Sequence, residues 1–151
     1  MSGAARRWFE EIEVGEESES PGRTVTEADI VLFAGLSGDY NILHTDAEFM
    51  KSSIFGERIA HGLLGLAIQS GLFSRSGVPY ATVGLGTLRW KFKGPIKIGD
   101  TIRVRAKVAA KKETDKADRG VVTVERQVVN QRDEVVQEGE TELVVERRPS
   151  A

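Results

Sequence analysis

The hydrophobic positions of the chain change their period near the middle. In the second half, residues 101–109 alternate between polar and apolar side chains as far as Val108. A period of two is that of a half-buried β-strand, and residues 82–94, 121–129 and 134–146 also have the character of strands. Polar turns at 114–120 and 130–134 separate three of these runs, so the pattern predicts successive antiparallel strands in one sheet. Across 101–109, Ile102, Val104, Ala106 and Val108 share one face, and Arg103, Arg105 and Lys107 share the other.

The first half has helical patterns instead. Thr26 is followed three residues later by Asp29, which resembles a capping box at a helix N-terminus. The run 30–37 is apolar nearly all round, so we expect that helix to be largely buried and to end at Gly38. Thr45 is a second possible cap, opening a short helix over 46–51.

The run 62–75 is apolar on all sides, which fits either a central helix or a buried strand. Its length and its leucine and alanine content favour the helix. Gly62, Gly65 and Gly71 would each cost about 1 kcal/mol relative to alanine in a helix, so we expect a close approach to the backbone there. This helix is the best available cover for one face of the sheet.

The predicted architecture is therefore α+β: one domain over residues 1–151, in which an antiparallel sheet wraps around a central buried helix. Such a sheet leaves exposed edges, and proteins usually pair or cover them. The sequence therefore also predicts a homodimer that pairs through the sheet edge.

Composition excludes several classes of function. The chain has no cysteine, which excludes disulfides, zinc–thiolate sites and a cysteine nucleophile. It has two histidines without a surrounding cluster of carboxylates, so no metal site is expected. The net charge of −2 argues against a nucleic-acid partner. The longest apolar run is about a dozen residues, whereas a membrane span needs about 20. With no apolar N-terminal segment, a cytoplasmic protein that binds no membrane is expected.

The candidate chemistry lies in GDYNILH, residues 38–44. This stretch places an acid, an amide and a base on one loop: Asp39, Asn41 and His44. Aspartate and asparagine are also common turn formers after a helix. The residues alone therefore leave a catalytic loop and a polar helix-ending turn both open.

The segment 33–65 resembles the signature region of the MaoC-like dehydratases, also called (R)-specific enoyl-CoA hydratases, which have a hotdog fold. Residues 90–102 resemble the strand and turn that follow the central helix in that family. The family pattern is Gly-Asp-x-Asn-Pro-x-His, followed by Ala-His-Gly at the start of that helix. Ile42 stands where the family has proline, which would stiffen the loop by fixing its φ. The pattern falls on Asp39, Asn41, His44, His61 and Gly62.

The resemblance implies reversible hydration of trans-2-enoyl-CoA or enoyl-ACP thioesters to (R)-3-hydroxyacyl thioesters. No metal or redox cofactor is implied, and coenzyme A enters only as part of the substrate. Asp39 and His44 would hold one water between them and move its protons, since histidine exchanges protons near neutral pH. The backbone N–H of Gly62, at a helix start, would hold the thioester oxygen. Asn41 would orient the water or brace the loop, and His61 is expected to be structural, as a helix cap or loop brace.

Two other functions remain open. A hotdog acyl-CoA thioesterase would use a carboxylate base and would not need the Asp-x-Asn-x-x-His spacing. A non-catalytic acyl-CoA-binding module, or the partner subunit of a dehydratase, could lose Asp39 or His44, and both are present. The sequence does not decide acyl-chain length, the choice between coenzyme A and acyl carrier protein, or which residue of the pair is the first base.

The segment Arg89–Lys112 holds nine lysines and arginines and one acid. Arg89, Lys91 and Lys93 alternate along one predicted strand and so share a face. They could meet the phosphates of coenzyme A, or they could form an ordinary solvated strand face.

Overall fold

The structure is a computed structural model and describes residues 5–149. A 3₁₀ turn at Phe9–Glu11 precedes the regular elements. Within the described range, no helix is both long enough and apolar enough to cross a membrane. The helices are α1 (Glu27–Ser37), α2 (Ile42–Thr45), α3 (Ala47–Met50) and α4 (Gly62–Phe73). The strands are β1 (Glu17–Glu19), β2 (Arg23–Thr24), β3 (Thr82–Phe92), β4 (Thr101–Glu113), β5 (Arg119–Val129) and β6 (Val135–Glu146).

One antiparallel sheet has the strand order β1-β4-β5-β6-β3, and β2 also pairs with β4. Its four long strands are those that the sequence predicts. The short strands β1 and β2 were not predicted, because two or three residues are too few to show a period. The predicted α+β architecture is confirmed.

The apolar face of the sheet packs against α4. On β4, the four alternating residues predicted to face inward are buried, and the arginines and lysine between them are more exposed. From α4, the inward residues are Leu64, Gly65, Gln69 and Leu72. The predicted central helix is confirmed, and the hydrophobic core lies between this helix and the sheet.

Helix α4 approaches the sheet most closely at Gly65. A Cβ atom there would collide with the side-chain amide of Gln137 and would lie 2.7 Å from Cδ1 of Ile96. Gln137 Nε2 donates to the carbonyl of Gly62 at 2.9 Å, and Gln137 Oε1 accepts from Trp90 Nε1 at 3.0 Å. The absence of a side chain at Gly65 therefore lets a satisfied polar network tie the first turn of α4 to β3 and β6.

The predicted caps of α1 are confirmed. The Thr26 side chain accepts from the N–H of Asp29, and the Asp29 carboxylate accepts from the N–H of Thr26. Arg23 also pairs with Asp29 at 2.6 Å, and this hydrogen bond lowers the pKa of the Asp29 carboxyl group. Gly38 ends the helix with a left-handed φ of 75°, a conformation that glycine adopts without steric cost.

The expectation that α1 is largely buried is wrong for the single chain. Only Ile30 and Ala34 of this helix are buried, while Leu36 is 85% exposed. The central helix also has an open side, on which Leu63 is 60% exposed. Both helices pack on one side only, because the described chain has no second layer to cover their outer faces.

The predicted cap at Thr45 is also wrong, by one residue. Asp46 caps α3, its carboxylate accepting from the N–H of Phe49 at 2.8 Å. Residues 42–45 form a helical turn of their own, and Thr45 is its last residue. Its hydroxyl donates back to the carbonyl of Asn41 at 3.1 Å, so it closes α2 instead of opening α3.

We expect Gly65→Ala to lower the free energy of unfolding by about 1–3 kcal/mol, because its methyl group overpacks a tight contact. Gly71→Ala is the matched control on the same helix, since no atom lies within 4 Å of its added Cβ. It should raise stability by roughly 0.5–1 kcal/mol. Urea unfolding of both variants measures the difference, and a Gly65→Ala protein as stable as Gly71→Ala would contradict the close contact.

Candidate active site

Three titratable side chains converge where the loop after α1 meets the start of α4. Asp39, His44 and His61 each place one carboxylate oxygen or ring nitrogen within 4.8 Å of the others. The two imidazole rings stack, with centroids 3.7 Å apart and planes inclined by 26°. Both histidines are buried, while Asp39 is exposed. The site thus opens to solvent on its carboxylate side.

His44 lies in α2, and one carbonyl fixes its tautomer. Its Nδ1 is 2.7 Å from the carbonyl oxygen of Ile59. A carbonyl oxygen can only accept, so Nδ1 carries the hydrogen and Nε2 keeps its lone pair. His44 is therefore prepared to accept a proton at Nε2.

His61 connects the Asp39 loop to α4. Its Nε2 donates to the backbone carbonyl of Asp39 at 2.9 Å, and its ring packs against Phe33. It occupies the N-cap position of α4, but its side chain makes no capping hydrogen bond. Its Nδ1 has no hydrogen-bond partner among residues 5–149. This geometry fits the predicted loop brace and not the predicted side-chain cap.

Two consecutive side-chain turns shape the loop that carries Asp39. Asp39 Oδ1 accepts from the N–H of Asn41 at 3.2 Å, and Asn41 Oδ1 accepts from the N–H of Leu43 at 3.0 Å. Asn41 is thereby the N-cap of α2. The amide that sequence reasoning offered either as a water-orienting group or as a brace is used here as a brace. A direct role for Asn41 in catalysis stays a prediction.

Ile42, which replaces the family proline, is the first residue of α2. The N–H at this position of a helix has no intrahelical acceptor, and proline is favoured there for that reason. The preceding residue, Asn41, has ψ of 139°, which also suits a following proline. Proline and isoleucine at this position therefore leave the hydrogen bonds of the loop the same. Isoleucine gives the unfolded chain more conformational freedom than proline would, which lowers the free energy of unfolding by about 0.4–1 kcal/mol.

Gly62 is the first residue of α4, and its N–H is free. The N–H groups of Leu64 and Gly65 both donate to the carbonyl of His61, at 3.0 and 3.2 Å. The N–H of Gly62 has no acceptor among residues 5–149. A Cβ on Gly62 would lie 2.9 Å from the ring of Phe92, so glycine also keeps space open at the helix start. A free donor at the positive end of a helix is suited to stabilising a developing oxyanion.

Asp39, His44 and His61 are also close enough together to be considered as ligands of a metal ion. Sequence reasoning found no carboxylate cluster around the histidines, yet the structure brings one carboxylate and both rings together. A metal ion needs ligand lone pairs that converge on one point, whereas Nδ1 of His44 and Nε2 of His61 each donate a hydrogen to a backbone carbonyl. The arrangement suits hydrogen bonds to a water better than a metal ion. The absence of a resident metal stays a prediction.

Two of the basic residues proposed for coenzyme A are paired across the sheet. Arg89 pairs with Glu140, and Lys93 pairs with Glu138 at 3.1 Å. Both acids lie on β6, the neighbour of β3. These contacts favour the solvated strand face over a phosphate site.

Comparison with known proteins assigns the chain to a family. Residues 10–130 match the family described as MaoC like domain. The chain belongs to the MaoC-like dehydratases. It is 44% identical over 114 residues to Protein MaoC of Klebsiella aerogenes, covering 76% of this chain and 33% of that protein. It is 30% identical over 120 residues to the (R)-specific enoyl-CoA hydratase of Aeromonas caviae, covering 80% of this chain and 85% of that one. The match thus spans only a third of the Klebsiella protein.

Solved structures agree with this assignment. The MaoC-like dehydratase from Rhodospirillum rubrum superposes with a TM-score of 0.85 at 33% identity, covering 95% of this chain and 99% of that one. A Mycobacterium tuberculosis protein with a double hotdog fold superposes with a TM-score of 0.86 at 16% identity, covering 97% of this chain and 46% of that one. An identity this low supports the fold alone. The predicted hotdog fold is confirmed.

Sequence reasoning missed several residues that shape the site. The carbonyl of Ile59 sets the tautomer of His44, and Phe92 faces Gly62. Neither contact has a signal in the sequence. Gln137 did have one, because it is a polar residue on the inward face of a predicted strand.

The oxyanion role of Gly62 can be separated from packing by two substitutions. Gly62→Pro and Gly62→Ala both place a Cβ against Phe92, but only proline removes the N–H. His61 has φ of −56° and ψ of 135°, which a following proline allows. We expect Gly62→Pro to lose about 10²–10³-fold in turnover and Gly62→Ala to lose less.

Thermal unfolding of both variants controls for damage to the fold. If the two folded variants turn over substrate at equal rates, the oxyanion is held elsewhere and Gly62 is a packing glycine.

Proposed function

We propose that the protein is an enoyl-CoA hydratase and 3-hydroxyacyl-CoA dehydratase that adds water reversibly to trans-2-enoyl thioesters. The observation that carries this proposal is the short distance between an acid, Asp39, and a base, His44. A carboxylate oxygen of Asp39 and a ring nitrogen of His44 lie within 4.8 Å of each other and of a ring nitrogen of His61. The residue after His61 is Gly62, whose N–H has no acceptor among residues 5–149. A water that hydrogen-bonds to both Asp39 and His44 at about 2.6–3.2 Å fits this distance. The names of the relatives support the same class of reaction.

The chemistry follows from the positions of these groups. Asp39 and His44 hold the water, remove one of its protons as its oxygen bonds to C3, and return a proton to C2. The electron pair of the C2–C3 double bond is carried meanwhile toward the thioester oxygen, where the N–H of Gly62 stabilises the charge. Acid–base help of this kind contributes about 10²–10⁴-fold. Dehydration uses the same groups in reverse.

The pair acts on one face of the alkene, so addition is syn. The proposed product is the (R)-3-hydroxyacyl thioester, and this choice of face is supported by the names of the (R)-specific relatives. The acyl group is carried by coenzyme A or by acyl carrier protein, without a metal or redox cofactor. The proposed site of action is the cytoplasm.

We further propose that the chain works as a homodimer. The outer edge of β3 has no partner strand within residues 5–149, although β3 is eleven residues long. Leu85, Leu88 and Phe92 on this strand and Leu63 on α4 are exposed. An unpaired edge beside exposed apolar side chains is suited to pairing with a second copy. Light scattering measures the assembly, and a species with the mass of one chain at assay concentrations would contradict a dimer.

Incubation with crotonyl-CoA separates this function from its alternatives. The expected result is 3-hydroxybutyryl-CoA, with the (R) configuration in chiral analysis. Release of free thiol would identify a thioesterase, and binding without turnover would identify an acyl-CoA-binding module. An (S) product would reject the proposed placement of substrate over the pair.

Asp39→Asn and His44→Asn should each fold and each lose most hydratase activity. The double variant should be little worse than either single variant, because groups that act on one water are not additive. Asp46→Asn is the matched control, since Asp46 is an exposed acid in the next turn whose capping oxygen asparagine retains. Full activity in either single variant would remove the proposed mechanism.

A further inference from the structure

A cavity of about 740 Å³ lies between the C-terminal half of α4 and the sheet. Its wall is largely apolar and is formed by α4, the four strands β3 to β6, and the segments 16–18 and 74–80. Asp39, His44 and His61 are not part of this wall. Representative apolar residues are Leu66, Phe73, Leu88, Val124 and Leu143.

Arg126 is the unusual member of this wall. It lies on the inward face of β5 between Val124 and Val128, and it is only 4% exposed. Its guanidinium carbon stacks 3.7 Å from the centroid of the Phe73 ring, and Nη1 donates to Gln69 Oε1 at 3.3 Å. Its Nε has no hydrogen-bond partner among residues 5–149.

A second buried polar group in the same wall is also unsatisfied. Thr141 on β6 is 2% exposed, and its hydroxyl has no hydrogen-bond partner among residues 5–149. Buried polar atoms are normally hydrogen-bonded, and each one left without a partner costs about 1–3 kcal/mol. Both residues line the same cavity, where a polar ligand atom would supply the partner that each of them lacks.

The charge of Arg126 is not balanced within the cavity wall. The other charged residues of the wall are paired: Arg7 with Glu16 at 2.6 Å, and Lys107 with Glu17 at 3.8 Å. No carboxylate of the described residues pairs with Arg126. Burial lowers the pKa of Arg126 to about 10, so the guanidinium still carries its charge at neutral pH. A buried charge is ordinarily paired, so the missing partner is an anion.

Gly62 lies on the same side of α4 as the residues of the helix that line the cavity. Residues 62, 66, 69, 70 and 73 are spaced by three or four positions, so they share a helix face. The helix rises about 1.5 Å per residue, which places Gln69 about 10 Å and Phe73 about 16 Å from Gly62. A medium-length acyl chain extended along this face from Gly62 would reach the level of Arg126, which contacts Gln69 and Phe73.

We propose that Arg126 and Thr141 bind a carboxylate at the far end of the substrate's acyl chain. The preferred substrates are then ω-carboxylated trans-2-enoyl thioesters, in which one carboxyl of a medium-length dicarboxylic acid is the thioester and the other is free. The guanidinium supplies N–H donors in a planar fork that matches a carboxylate, and the threonine hydroxyl supplies a further donor. This inference rests on the proposed hydratase function and extends it to a class of acyl chain.

The test compares trans-2-decenoyl-CoA with the same thioester bearing a terminal carboxylate. We expect wild-type kcat/KM to favour the carboxylated substrate by roughly 10–100-fold, the worth of a hydrogen bond to a charged group. Arg126→Met should remove that preference, and Arg126→Lys should retain part of it because lysine keeps the charge without the fork. Arg105→Met, on the exposed face of β4, is the control and should leave the ratio of the two substrates unchanged.

Calorimetric titration of both thioesters gives a second readout that does not need turnover. Hydration of both decenoyl substrates without preference for the carboxylate would overturn this inference and leave the hydratase function standing. Absence of hydration for crotonyl-CoA and both decenoyl substrates would overturn the hydratase function, and the titration would still show whether the carboxylate is recognised. The wild-type comparison decides the question even if Arg126→Met does not fold.

Discussion

The close approach of α4 to the sheet at Gly65 is the contact on which the rest of the molecule depends. A side chain at this position would push the helix away from Gln137 and Ile96. Gln137 would then lose the carbonyl of Gly62, and the first turn of α4 would no longer be held in place. That turn carries both the free N–H of Gly62 and the ring of His61. The geometry of the candidate active site is therefore set by packing on the other side of the helix.

Two backbone carbonyls decide which ring nitrogen of each histidine carries the hydrogen. Ile59 accepts the hydrogen of His44, and Asp39 accepts that of His61. Neither ring makes a further hydrogen bond among residues 5–149. The short helical turn at Ile42–Thr45 separates the acid from the base: His44 is buried, while Asp39 stays at the surface. In the proposed mechanism, the second ring nitrogen of His44 is the one that exchanges a proton with the bound water.

The sequence predicted the long strands, the central helix and the capping box of α1, because each rests on local chemistry or on a period sustained over many residues. It did not predict β1 and β2, which are held by pairing with β4 and show no period of their own. It overestimated the burial of α1, because an apolar pattern shows that a face needs cover but not which chain supplies it. Asp39, Asn41, His44 and Gly62 were proposed because they fall on the pattern of the MaoC-like family, and their roles stay predictions. The contacts of Ile59 and Phe92 could not be found, because they join distant parts of the chain.

Two polar residues on the inward side of neighbouring strands differ in how far their hydrogen bonds are satisfied. Gln137 on β6 is fully satisfied, donating to Gly62 and accepting from Trp90, and it fixes the position of α4. Among residues 5–149, Arg126 on β5 has one long hydrogen bond and an aromatic contact, and its Nε has no hydrogen-bond partner. A satisfied buried polar group stabilises and specifies a fold, whereas an unsatisfied buried charge destabilises it. Well-packed apolar residues would hold this face of the sheet at least as well as Arg126 does. The buried charge of Arg126 is therefore a cost to the stability of the fold, and the proposed carboxylate of the substrate would offset that cost by pairing with it.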